Sequence, residues 1–228
     1  MTRVLRAAWL IARKDFTIEA RSREILATSA FFAVACVLVF AFSLVREGRA
    51  PDGVAAGVMW IGIAFSGTLS LSRLFERERA SDTLRTLLLA PIERPAVYLG
   101  KLLAVVMLMS AVGALLLPFT GFLVDQAVVR SAPALAAVIV LGIIGYAAVG
   151  TLFAAMLGRS RSRDVLLPVL LYPMTVPVLI AGVRATSALL EPAGPDWATA
   201  RLWVGVLLAF DTVFVTLALW TFEAVMEE

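Results

Sequence analysis

The chain has 228 residues, 61% of them hydrophobic and 16% charged, with a mean hydropathy of +0.93. Soluble domains run near 45–50% apolar and about 25% charged, so this composition excludes a water-covered globule and leaves room for one bundle of membrane spans. The formal net charge is only +3 and Cys36 is the lone cysteine, so neither a nucleic-acid partner nor an intrachain disulfide is expected.

Residues 1–24 read as an amphipathic helix. Leu5, Trp9, Ala12, Phe16 and Ala20 recur at spacings of four and three, with Arg6, Arg13, Lys14 and Arg21 elsewhere on the wheel. Such a helix is expected to lie in the membrane interface, apolar side in lipid and basic side on anionic headgroups. It serves either as an anchor or as a mechanical link to the first span.

Six apolar runs follow, near 25–45, 53–72, 98–123, 133–157, 164–183 and 202–222. A bilayer core of about 30 Å takes roughly 20 residues per helix, since lipid offers the backbone no partners. The fold class is therefore an all-α integral membrane protein with six transmembrane helices. Fifteen of the twenty basic residues fall on one side, in the N-terminus, in the 73–101 stretch and in Arg159, Arg161 and Arg163. The positive-inside rule makes that side cytoplasmic and puts both termini there, as in a multi-pass protein of a bacterial inner membrane.

Spans 2 and 4 are rich in glycine: Gly53, Gly57, Gly62 and Gly67 in one, Gly142, Gly145 and Gly150 in the other. Small residues let helix backbones approach closely in lipid, so packing explains them. Span 5 carries Pro168, Pro173 and Pro177, each of which removes a backbone donor, so a kinked or broken helix is expected, either as plain packing or as a gate. The 184–201 segment after it is the longest connection on the outer side, and its Ala185–Leu190 part is apolar enough to dip back into the interface.

The connection from Arg73 to Pro95 carries the most information. It opens with Arg73, Phe75, Glu76, Arg77, Glu78 and Arg79. Ser81 then fits an N-cap, with Asp82 in the first helical turn. Leu84, Leu87 and Leu88 follow at i, i+3 and i+4 before Pro91 ends the helix. A short helix outside the membrane with a leucine stripe either lies on the bilayer or docks into a groove of another protein. The flanking charges suit orienting such a dock.

The stretch LSLSRLFERERASDTLRTLLLAPIERPAVYLGK, ending at Lys101, and LLPVLLYPMTVPVLIAG in span 5 together resemble the CcmB family. These are permease subunits of the cytochrome c maturation ABC complex, within the ABC-2 exporter superfamily. The resemblance implies that residues 25–228 form a six-helix permease domain with a coupling loop at 73–95. A second copy of the chain and a CcmA-like ATPase would be partners. CcmC-like and CcmD-like membrane proteins would join them, and release of a haem-loaded CcmE-like chaperone would be driven on the periplasmic side. ATP would be bound by the partner ATPase and haem handled by partner subunits, with no cofactor held by this chain. The alternative is a generic ABC-2 exporter permease for a drug, lipid or polymer.

The residues agree with a subunit that lacks its own catalytic site. A P-loop needs Gly-x4-Gly-Lys-Ser/Thr, and around Gly100-Lys101 the flanking positions are Pro95 and Leu102. Histidine is absent, so the favoured ligand of haem iron and zinc is missing. Clustered acids or histidines of the kind a membrane enzyme needs are not seen. Asp211 interrupts the last span, where a carboxyl marks either a helix pin or a functional group; Tyr146 and Thr175 are its expected partners.

Overall fold

The computed structural model describes residues 2–46, 50–80, 93–157 and 162–225, and among these it is built of helices only. In chain order they are α1 (Thr2–Ser22), α2 (Glu24–Leu44), α3 (Val54–Ala80), α4 (Arg94–Leu123), the single turn α5 (Ala127–Arg130), α6 (Ala132–Met156), α7 (Arg163–Leu189) and α8 (Trp197–Val225). Six of them, α2, α3, α4, α6, α7 and α8, are long and apolar enough to cross a membrane. The chain is an all-α membrane protein.

Local chemistry sets the helix ends. Arg23 adopts a left-handed conformation (φ 55°) that separates α1 from α2. The Glu19 carboxylate, the last buried acid of α1, accepts from the Leu26 amide at 2.8 Å and so caps the first turn of α2. Proline occupies the first turn of α4 and of α6, where its missing donor costs nothing. Asp196 caps α8, its Oδ1 accepting from the amides of Ala198 and Thr199 at 3.0 and 3.1 Å.

Helix α6 lies at the centre, packed by α3, α4, α7 and α8. Helix α2 flanks α3 and α4 on one side, α8 flanks α6 and α7 on the other, and α1 packs against α4. Glycine makes the close approaches possible, as expected. A side chain at Gly150 would meet Leu71, one at Gly67 would meet Met109 and Tyr146, and one at Gly62 would press on Leu116. Gly57 faces open space instead.

One expectation is narrowed to its unbroken alternative and one is corrected. Span 5 is not broken: α7 runs as one helix through Pro168, Pro173 and Pro177 to Leu189. Pro173 and Pro177 sit on its exposed face, while Leu167, Leu171, Thr175 and Val178 form the buried stripe. A break would strand backbone groups at a depth without water, whereas local adjustment on the outward face keeps most of the ladder. The apolar 185–190 part is no re-entrant piece either, because it completes the last turns of α7, and only residues 190–196 connect to α8.

Candidate functional site

At the end of the bundle where α3 finishes and α4 begins, the sequence-predicted docking residues divide. Arg73 and Glu76 are exposed and pair with each other at 3.4 Å. Phe75 is only 4% exposed and belongs to the core, so it is corrected out of the docking surface. Its position follows from helix periodicity, with Leu71, Leu74 and Phe75 forming one inward stripe at i, i+3 and i+4. Arg77, Glu78 and Arg79 continue α3. Asp82, Leu84, Leu87 and Leu88 lie outside the described residues.

Beside this end, α1 is fastened to the first turns of α4. Gly100 admits the backbone and side chain of α1, with Ile11 Cβ 2.7 Å from where a glycine-replacing Cβ would sit and the Ala8 carbonyl at 3.0 Å. From the next residue, Lys101 Nζ donates at 2.5 Å to Oδ2 of Asp15, one turn after Ile11 on α1, and Lys14 Nζ lies 3.0 Å from Asp15 Oδ1. Lys101 is 1% exposed and Asp15 7%, so this is a buried ion pair between the N-terminal helix and a membrane span. Sequence reading missed it. Two signals were available: a lysine and a glycine together inside a span, and an acid on the same stripe as Ala8, Ile11 and Ala12.

The interior polar groups do not gather as expected. Tyr146 Oη donates to the Ala64 carbonyl at 2.8 Å and lies 2.7 Å from Thr68 Oγ1, which in turn donates to Tyr172 Oη at 3.2 Å. Thr175 Oγ1 donates back to the Leu171 carbonyl of its own helix at 2.9 Å. Neither reaches Asp211, so its pairing with Tyr146 and Thr175 is corrected. Asp211 is 8% exposed, its Oδ1 lies over Gly145 between Phe210 and Val178, and that oxygen has no hydrogen-bond partner. Nearer the α3 start, Trp60 fills a slot between Gly142 and Gly182 and donates from Nε1 to Thr186 Oγ1 at 3.0 Å.

In chemical terms these polar groups join helices. The tyrosine hydroxyls are engaged within the bundle, and among the described residues no three His, Cys, Asp or Glu side chains converge as a metal site. Six apolar helices, a docked N-terminal helix and a charged end define a multi-pass membrane protein whose inner polar contacts serve packing. The sequence matches the CcmB protein family over residues 6–228, and the chain belongs to that family. It is 31% identical over 195 residues to heme exporter protein B of Paracoccus denitrificans (strain Pd 1222), covering 86% of this chain and 85% of that one. It is 26% identical over 217 residues to heme exporter protein B of Pseudomonas aeruginosa, covering 92% of each. The protein of the same name from Rhodobacter capsulatus is 31% identical over 158 residues, covering 68% of this chain and 70% of that one.

Proposed function

We propose that this chain is the permease subunit of a haem-exporting ABC complex for cytochrome c maturation, in a bacterial inner membrane with both termini cytoplasmic. Membership in the CcmB family over nearly its whole length carries the reading, with relatives named heme exporter protein B. Haem is the cargo of the system, and the absence of histidine leaves any histidine ligation of it to other subunits.

The geometry supports a docking role for the 73–95 loop. At 1.5 Å per residue, α3 with 27 residues and α4 with 30 are about 40 and 45 Å long, against a hydrocarbon core of about 30 Å. The apolar span within α3 ends at Glu76, and the helix continues to Ala80. At the loop end, α3 therefore runs four residues, Arg77 to Ala80, beyond its apolar span. A separate CcmA-like ATPase grips the leucine segment there, and Arg73 and Glu76 lie at its root. Two permease and two ATPase copies, with CcmC-like and CcmD-like neighbours, then drive release of the haem-loaded CcmE-like chaperone. Asp211 is read as a helix contact and α7 as a packing strut, with its proline face as a gate for the outer half the alternative.

Burying each leucine is worth about 1.5–3 kcal/mol, so placing two charges on that stripe removes most of the docking energy. Leu84→Asp with Leu87→Asp is expected to abolish co-purification of the ATPase while leaving the permease in the membrane. Undiminished co-purification would overturn the docking assignment.

A further inference from the structure

We infer that the outward face of α1 is a binding site for anionic phospholipid headgroups, formed by Arg3, Arg6, Arg13 and Arg21. The acids of the helix, Asp15 and Glu19, turn inward, and Lys14 pairs with Asp15. In sequence, α1 mixes signs: Arg3, Arg6, Arg13, Lys14 and Arg21 against Asp15 and Glu19. The structure separates them. Both acids point into the bundle, Asp15 onto Lys101 and Glu19 onto the Leu26 amide. Arg3, Arg6, Arg13 and Arg21 are exposed, so the outer surface of α1 presents cations and no carboxylate.

The helix has three sectors. Ala8, Ile11, Ala12, Asp15 and Glu19 are buried, largely against α4. Leu5, Trp9 and Phe16 form an exposed apolar sector beside them. At about 100° per residue, Arg6, Arg13, Arg3 and Arg21 fall on the next arc around the wheel. A helix lying in the interface against a bundle needs this order: protein on one side, acyl chains below, headgroups above.

The basic arc is also shaped. Two wide-open surface depressions, of about 440 and 330 Å³, have Leu10 in common as an apolar patch. Arg3 and Arg6 flank the first and Arg13 and Arg21 the second, with Lys14, paired to Asp15, between them. A phosphodiester bearing no cation of its own suits such flanks, with its glycerol and upper acyl carbons over Leu10. A zwitterionic headgroup would bring a choline among arginines. The occupant is thus the phosphatidylglycerol class, independently of what cargo the complex handles.

The test uses the purified full chain equilibrated with equimolar phosphatidylglycerol and phosphatidylcholine, with retained lipid counted by native mass spectrometry. A cation near a membrane surface contributes about 1 kcal/mol, or roughly fivefold, so Arg6→Gln, Arg13→Gln and Arg21→Gln together should cut the preference at least tenfold. The matched triple Arg46→Gln, Arg130→Gln and Arg201→Gln at the other end should leave it unchanged. On the unaltered protein, raising salt from about 0.15 to 0.5 M should also weaken the preference, since these charges are exposed. Equal retention of the two lipids by the unaltered chain overturns the site. So does a preference that survives the α1 substitutions, or an unaltered chain that ignores lipid charge and instead captures an acidic protein through these arginines.

Discussion

At Trp60 the largest buried side chain of the bundle sits where two helices offer no side chain at all. Its ring occupies the space above Gly142 and Gly182, and its Nε1 spends its proton on Thr186. Any β-carbon at Gly182 would overlap the ring, which is fenced by two helices and cannot swing away. Gly182→Val is therefore expected to cost about 1–3 kcal/mol by overpacking. Gly57→Val, facing open space in the same region, should stay within about 0.5 kcal/mol. Thermal unfolding in detergent reads both, and equal midpoints would show that the slot is not a constraint. Thr186→Val probes the other half of the contact: it leaves a buried indole N–H unmatched, a loss of about 1–3 kcal/mol.

The joint between α1 and α4 works by a different rule, because there a charge has been brought inside. A buried pair contributes little over an apolar replacement, but removing one partner exposes the full desolvation cost of the other. Asp15→Ala should thus destabilise the protein by about 3–5 kcal/mol, and Asp15→Leu with Lys101→Met should recover most of it. If the single and double variants melted together, α1 would not be held by this pair. At the far end Asp196 caps α8, and the Thr199 hydroxyl, with the amides of Thr199 and Ala198, holds its carboxyl below the ordinary range. A lowered folded-state pKa gives stability that is present above the unfolded value and lost as pH falls through the folded one. The melting deficit of Asp196→Ala should accordingly be visible at neutral pH and vanish in strong acid. The spans themselves were legible because lipid forces each into a continuous apolar run. The Asp15–Lys101 pair and the Tyr146–Thr68–Tyr172 set were not, since their members are 86, 78 and 104 residues apart and meet only through packing. Proline in span 5 left break and kink both open, because the loss of a donor does not say whether the helix resumes. In lipid the continuous helix keeps more of the backbone ladder.

For the whole molecule, orientation decides whether a cytosolic ATPase can reach the 73–95 loop at all. The charges that bear on it come from stretches far apart in sequence. The fold brings them to one end, where α1, the end of α3, the start of α4 and the start of α7 lie together, while Arg46, Arg130, Arg184 and Arg201 belong to the other. Positive charge resists transfer across an energised membrane, so the crowded end should stay in the cytoplasm. The chain lends itself to a direct test because Cys36 is its lone cysteine and sits within α2. In a Cys36→Ala background, Glu191→Cys places a thiol on the exposed α7–α8 connection and Ser162→Cys one at the exposed start of α7. A membrane-impermeant maleimide applied to intact spheroplasts should label the first within minutes and the second only after permeabilisation. The reverse pattern would put the leucine segment outside the cell, where no ATP-driven partner could grip it, and the permease assignment would fall with it.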